Sequence, residues 1–224
     1  MSESLFSSIE GRFLAVGLTL TALMFLAFGI AGHLYPEKIL PYAAMTGLNL
    51  FIGRGAGMSL GYANGYSHAQ VVPFNILVET IQVLVVYPLF ALSSRQLIQL
   101  RALKPFITRI QHAAEAQGGM VRHFGIAGLF LFVFVPFWMS GPVVGAIIGF
   151  LIGLRPWVNL AVVLSSTYVA IAIWALLLNE LSAWAATVNR FAPWALVIAV
   201  VLIVVAMNML HRRRDRLGKD AKVP

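Results

Sequence analysis

Two ionisable residues in apolar sequence have the chemistry to act on a ligand. Arg54 lies inside the stretch GRGAGMSLGYANG, and Glu79 lies within the apolar run from Phe74 to Leu92. A charged group at membrane depth is costly to bury, so each should face the interior of a helix bundle and have a polar partner. Arg54 either contacts an anionic substrate or counter-ion, or it extends to the interface or caps helix carbonyls. Glu79, with Gln82 on the same helical face, either carries a proton or cation or is a static, wetted partner of Arg54.

Three weaker candidates, Asn49, Trp138 and Ser140, could line a substrate site beside Arg54. Hydroxyls in membrane helices often only satisfy carbonyls, and aromatic rings often only pack, so a structural role stays open for each. The five histidines fall at predicted span ends or in loops, without metal-ligand spacing on one face. Neither a nucleophile elbow nor a phosphate-binding loop is present in the sequence. We therefore expect no metal, no cofactor and no enzymatic activity.

The composition is that of an integral membrane protein with a single domain. Of the 224 residues, 60% are hydrophobic and 11% are charged, and the mean hydropathy is +0.86. A spanning helix needs about 20 apolar residues, and no long polar region could form a second domain. The net charge of +8 is concentrated in one loop and in the C-terminal tail. It therefore indicates membrane orientation and lipid headgroup contact rather than nucleic-acid binding.

Positive charges determine how the chain is predicted to cross the membrane. Four apolar runs are predicted to span the bilayer, at 13–34, 74–92, 157–181 and 193–210. Two interrupted stretches, at 39–66 and 124–154, are each either a full span or a re-entrant hairpin. The basic loop at 95–122 and the basic tail at 211–224 should both be cytoplasmic. They can share one side only if 124–154 enters and leaves on the same face, so we predict an all-α fold with four spanning helices and two re-entrant hairpins from opposite faces.

This topology also orients the ends of the chain and its surface segment. Residues 94–117 carry apolar residues at helical spacing among basic ones, which predicts an amphipathic helix on the cytoplasmic surface. Both termini are expected in the cytoplasm, in a bacterial inner membrane. The expected partners are membrane lipids, with a homo-oligomer or a subunit of a membrane complex as a further possibility, and no nucleic acid.

Glycines recur in both predicted hairpins at a step of four, which places them on one helix face and lets another backbone approach closely. A shift of 88 residues superimposes the two sets. Pro136 interrupts the second hairpin and is also expected to contribute to hairpin packing. Units that recur and enter from opposite faces are typical of an inverted-topology repeat, in which substrates bind near the midplane. We expect the two glycine faces to form the central contact between hairpins. The glycines are Gly53, Gly57, Gly61 and Gly65 in the first hairpin, and Gly141, Gly145, Gly149 and Gly153 in the second.

The segment HFGIAGLFLFVFVPFWMSGPVVGAIIGFLIGL resembles the hallmark of the small multidrug export protein family, a relative of the DedA (SNARE-associated, VTT) membrane proteins. Arg54 and Gly55 also match the arginine and glycine of the family's first-hairpin motif, whereas Ile52 stands in place of its glutamate. The resemblance implies opposed re-entrant hairpins and a role in moving small molecules or phosphate-bearing lipids. The matching residues of the second hairpin are Gly125, Gly128, Leu129, Phe130, Leu131, Phe132, Val133, Pro136, Gly141 and Gly145.

Three hypotheses of function follow from these observations. The first is a DedA-like transporter or lipid translocase, with Arg54 at an anionic group and Glu79 as a proton carrier. The second is a non-transporting structural subunit of a larger membrane complex, in which carbonyls or headgroups satisfy both charges. The third is a lipid scramblase with a groove open to the bilayer.

Overall fold

The computed structural model describes residues 8–94, 125–134, 141–188, 194–195, 197–199 and 201–202, and the regular structure of these residues is entirely helical. Three helices are long and apolar enough to cross a membrane, at Ile9–Leu34, His68–Ser94 and Pro156–Trp184, and two shorter ones are also apolar. The predicted helical membrane protein is therefore confirmed at this level. The helices are α1 Ile9–Leu34, α2 Pro36–Phe51, α3 Arg54–Ala63, α4 His68–Ser94, α5 Gly125–Phe134, α6 Gly141–Leu151 and α7 Pro156–Val188.

Several predicted features lie partly or wholly outside the described residues. The predicted surface helix at 94–117 is outside them beyond Ser94, and so is the whole tail at 211–224. Of the predicted span at 193–210, the described residues are helical. Pro136, Trp138 and Ser140 are also outside the described part of the chain.

Helices α2 and α3 form an antiparallel hairpin with its turn at Ile52 and Gly53. A Cβ added to Gly57 would lie 2.9 Å from the Met45 carbonyl oxygen, and one added to Gly61 would lie 2.9 Å from Met45 Cε. Helix α3 therefore runs back along α2 in the opposite direction. The missing side chains let the two backbones approach more closely than any larger residue would allow.

Helices α5 and α6 use their glycines in the same way. A Cβ on Gly145 would collide with the Val133 side chain, and one on Gly149 would collide with Asn159 at the start of α7. We call α2–α4 the first half of the chain and α5–α7 the second half. The close glycine contacts are therefore made within each half, and not between the two hairpins as the sequence suggested. Among the described residues other than the immediate neighbours, no atom lies within 4 Å of a Cβ placed on Gly53, Gly65 or Gly153.

The turn after each short helix recurs at the shift of 88 residues. Gly65 and Gly153 both have positive φ, at 77° and 82°. The Tyr66 amide donates to the Gly61 carbonyl at 3.1 Å, and the Leu154 amide donates to the Gly149 carbonyl at 3.0 Å. Both turns are of the glycine-terminated type in which a left-handed residue ends the helix. The next helices, α4 and α7, then begin at His68 and Pro156, again 88 residues apart.

Two hydrophobic cores hold the halves together, and their members also correspond at this shift. In each core, the short second helix of one half packs against the long helix of the other half. Interchanging the halves therefore converts one core into the other. The first core joins Met58, Leu60 and Tyr62 of α3 to Ile171, Ala175 and Leu178 of α7. The second joins Ala146, Ile148 and Phe150 of α6 to Val83, Tyr87 and Phe90 of α4.

Helix α1 packs against α2 and α4 and leaves much of its surface uncovered. A Cβ on Gly17 would lie 2.8 Å from the Leu84 backbone, so α1 and α4 are in close contact there. Phe25 and Leu26 are 64% and 60% exposed on the other side. Such an apolar, exposed surface suits the hydrocarbon of a bilayer.

Candidate functional site

Arg54 is the first residue of α3 and lies at the tip of the α2–α3 hairpin. Gly53 before it has φ 123°, a region that side chains disfavour, and this lets the chain reverse between the helices. The Arg54 side chain is 5% exposed. It therefore does not extend to the membrane interface, which the sequence left open beside the capping of carbonyls and contact with an anionic group.

The guanidinium of Arg54 reaches across to the second half of the chain. Its Nη2 donates to the Val133 carbonyl at 3.0 Å, and its Nη1 to the Thr167 carbonyl at 3.5 Å. Val133 lies near the end of the described part of α5. A Cβ on Gly141, in α6, would lie 3.6 Å from Nη2. The tip of the first hairpin is thus in contact with both helices of the second.

Glu79 on α4 is the acidic partner of Arg54. Its Oε1 lies 3.8 Å from Arg54 Nε, and its side chain is 4% exposed. Its second carboxylate oxygen, Oε2, is buried and has no hydrogen-bond partner among the described residues. Taking two charges out of water costs several kcal/mol per ion, and a single long ion pair offsets this cost only in part. The site therefore contains an acceptor that a proton or a donor group could satisfy.

An amide pair continues the polar cluster from Arg54 and Glu79 into α2. Asn49 lies beside Glu79, and its Nδ2 donates to Asn75 Oδ1 at 3.0 Å. The Asn75 amide in turn donates to the Val71 carbonyl at 2.8 Å, which fixes its orientation. Asn49 and Asn75 are 2% and 1% exposed. The cluster therefore brings together three elements, α2, α3 and α4, around one buried carboxylate.

The remaining candidates from the sequence are placed less centrally. Gln82 is half-buried, and no hydrogen bond from it to the described part of the chain is found. Trp138 and Ser140 belong to the undescribed segment between α5 and α6. Within the described ranges, no group of three or more His, Cys, Asp or Glu residues could hold a metal ion.

Thr167 is one of several polar residues at membrane depth that the sequence offers only as weak candidates, and the repeat gives a second signal for it. A shift of 88 residues takes Glu79 to Thr167, and Arg54 contacts both residues. The same shift takes Thr80 to Tyr168, whose hydroxyls are 2.8 Å apart. Applying the repeat to the polar residues, and not only to the glycines, would have pointed to these contacts.

An open depression of about 470 Å³ lies on the surface of α1, and the residues that line it are not part of this cluster. Its lining residues, which include Phe25, Gly29 and His33, all belong to α1. The surface around it is almost wholly apolar. The charged cluster itself is closed in this structure, because Arg54 and Glu79 are both buried.

Comparison with known proteins gives one match. Searches of curated proteins and of solved structures found nothing similar to the chain. The profile of one family, described as "Putative small multi-drug export protein", matches residues 54–173. The match begins at Arg54 and includes Glu79, Val133 and Thr167, so it covers the charged cluster. Because it extends over more than half of the 224 residues, the chain belongs to this small multi-drug export protein family.

Proposed function

We propose that the chain is a membrane transporter built as an inverted-topology repeat, which moves a small or phosphate-bearing anionic substrate past Arg54. The description of the family supports export as the general role. The observation that carries the proposal is the buried Arg54–Glu79 pair at the contact between the two halves. A charge in the interior of a membrane protein is costly, and such residues commonly mark a substrate or ion pathway.

The length of helix α3 supports the re-entrant part of this proposal. Helix α3 has 10 residues, which correspond to about 15 Å at the rise of an α-helix. The hydrocarbon layer is about 30 Å thick, so α3 cannot cross it alone. In the proposed topology α2–α3 enters from the outer face and α5–α6 from the cytoplasmic face, which is the opposed arrangement that the resemblance to DedA-like proteins implies.

The chemistry that we propose is an exchange of counter-ions on Arg54. An anionic substrate would displace the Glu79 carboxylate from the guanidinium, since both bind the same donors. The displaced carboxylate, still buried, would then take up a proton instead of remaining charged. Substrate anion and proton would move together, with Asn49, Gln82, Trp138 and Ser140 as the proposed surrounding residues.

Reconstitution in liposomes tests this proposal. Movement of fluorescent phospholipid, and of a phosphate-bearing prenyl lipid, is followed for the wild type, Arg54→Ala and Arg54→Lys. We expect both substitutions to reduce movement at least tenfold, because lysine cannot bind an oxyanion and two carbonyls with the same planar geometry. Arg155→Ala, at an exposed arginine outside the cluster, is the control and should move lipid at the wild-type rate.

A second candidate function is supported by the same contacts. Arg54 is satisfied by two carbonyls and Glu79, which is the arrangement expected of a structural subunit. Such a subunit would move neither lipid in liposomes, with or without Arg54, and would be recovered from native membranes with its partner proteins. Equilibration of lipid between leaflets without any gradient would instead support the scramblase hypothesis.

A further inference from the structure

One contact in the molecule joins two positions that the repeat relates to each other. Thr80 Oγ1 and Tyr168 Oη are 2.8 Å apart, and the two residues are separated by 88 positions. If a two-fold operation interchanges the halves, a residue that touches its own equivalent must lie on the axis. Arg54 independently indicates the same place, because it contacts both Glu79 and Thr167, the equivalent pair one position earlier.

The direction of the hydrogen bond on the axis can be deduced. Thr80 Oγ1 also lies 2.6 Å from the Ile76 carbonyl, to which it donates its single hydrogen. Tyr168 must therefore be the donor to Thr80. The bond joins α4 and α7 directly, and both side chains are half-buried.

The positions of Thr80 and Tyr168 along their helices indicate how deep in the bilayer their contact lies. Thr80 and Tyr168 each lie twelve residues after the first residue of their helix, His68 and Pro156. Twelve residues correspond to about 18 Å along an α-helix. Half of the hydrocarbon thickness is about 15 Å, so the crossing of α4 and α7 is close to the middle of the bilayer if each helix begins at the edge of the hydrocarbon.

The contacts away from the axis behave differently under the same operation. The bond from Arg54 to the Val133 carbonyl would be mapped onto a bond from Pro142 to the Met45 carbonyl. Proline has no amide hydrogen and no side-chain donor, so this equivalent bond cannot form. If the halves exchange conformations, the bond from Arg54 to the Val133 carbonyl is therefore present in one state and has no equivalent in the other. The contact between Thr80 and Tyr168 joins the same two positions in both states.

We infer that Thr80 and Tyr168 are positioning residues that hold the α4–α7 crossing as a fixed pivot, while the hairpin contact through Arg54 is the part that opens. This inference rests on the proposed function for its meaning in transport. Its physical content concerns only which contacts move. It can therefore fail or hold independently of any transport assay.

Spin-label distances provide the test, and the absence of cysteine from the chain allows labels to be placed without background. One label pair, Leu77→Cys with Val169→Cys, lies next to the pivot. The other, Phe51→Cys with Leu151→Cys, lies on the two hairpins, where the side chains are 72% and 42% exposed. Each pair is measured in phospholipid nanodiscs, with and without Arg54→Ala, which removes the bonds to the Val133 and Thr167 carbonyls.

We expect Arg54→Ala to shift the distance distribution of the hairpin pair by several ångströms and to leave that of the pivot pair unchanged. A pivot pair that shifts as much as the hairpin pair overturns the inference. So does a hairpin pair that does not respond, because the Arg54 contact would then not be the part that opens.

A second substitution tests the bond on the axis itself. Tyr168→Phe removes only the hydroxyl and should broaden the distribution of the pivot pair. Thr19→Val is the matched control, because the Thr19 hydroxyl bonds only within α1, to the Ala15 carbonyl at 2.9 Å. An unchanged pivot distribution in Tyr168→Phe would show that the hydrogen bond does not hold the crossing. Lipid movement can be present or absent in either case, so failure of the proposed function is distinguishable.

Discussion

Removing Arg54 should destabilise the protein more than neutralising Glu79. The two residues form one ion pair, yet their other contacts differ. Arg54 also donates to the carbonyls of Val133 and Thr167, whereas the free carboxylate oxygen of Glu79 has no partner among the described residues. Arg54→Ala therefore leaves a buried carboxylate beside Asn49, and Glu79→Gln leaves a guanidinium that keeps two acceptors.

The size of each effect follows from these contacts. Breaking a buried ion pair by removing one partner costs about 3–5 kcal/mol, and we expect Arg54→Ala to fall in this range. Each hydrogen bond to a charged group contributes about 1.5–3 kcal/mol. Because Glu79→Gln retains the carbonyl bonds, it should cost at least about 1.5 kcal/mol less than Arg54→Ala. The double variant removes both charges and should be more stable than the sum of the single effects predicts, by about 0.5–3 kcal/mol.

The assay is reversible unfolding of the four proteins in one detergent or bicelle system, with the free energy of unfolding taken from each curve. The double-mutant cycle then gives the coupling between the two side chains directly. If Glu79→Gln proves as destabilising as Arg54→Ala, or if the two effects add without coupling, the assignment of Arg54 as the residue that ties the halves together is wrong.

The glycine positions allow two further predictions from the same unfolding measurement. Gly149→Ala should destabilise by about 1–3 kcal/mol, because its Cβ collides with a neighbouring side chain. Gly29→Ala should not destabilise, because among the described residues its Cβ meets no atom of another helix within 4 Å; equal stability of the two variants would contradict the packing. Gly65→Ala and Gly153→Ala should each cost about 1–3 kcal/mol for their positive φ, and by similar amounts because the turns correspond. The control is Gly47→Ala, in the helical and open part of α2, and a large inequality between the two turn variants would argue against equivalent halves.

Helices and turns could be predicted from the sequence, because each depends on neighbouring residues in the chain. Which helices contact each other could not be predicted in this way. The apolar runs at 74–92 and 157–181 correspond to α4 and α7, whose helices extend a few residues further at each end. Composition and length suffice for such spans because a bilayer requires a continuous apolar helix. The turn at Gly53 was also accessible, since glycine beside a break in an apolar pattern is a local signal.

The packing of the glycines was not predicted correctly, for a physical reason. A step of four shows that one face of a helix is bare, and it contains no information about which helix approaches that face. In the structure Gly57 and Gly145 receive the preceding helix of their own half, through Met45 and Val133. The contacts between halves are made instead by larger residues in the two cores and by Arg54.

The buried partners of Arg54 show the same limit. A pairing with Glu79 was one of the interpretations of the sequence, because two rare charges at membrane depth should satisfy each other. The Val133 and Thr167 carbonyls could not be foreseen, since every residue has a carbonyl and only the fold selects two of them. The repeat offered the one indirect route to Thr167, through its relation to Glu79.

The proposed transport site depends on the inverted topology. The sidedness of two equivalent loops tests this topology most directly. Ser67→Cys and Arg155→Cys are separated by 88 residues and lie in the turns that precede α4 and α7. In a chain without other cysteines, a membrane-impermeant maleimide applied to intact cells should label the first variant, and should label the second only after the membrane is permeabilised. Labelling of both variants from the same side would contradict the opposed hairpins and the transport site proposed between them.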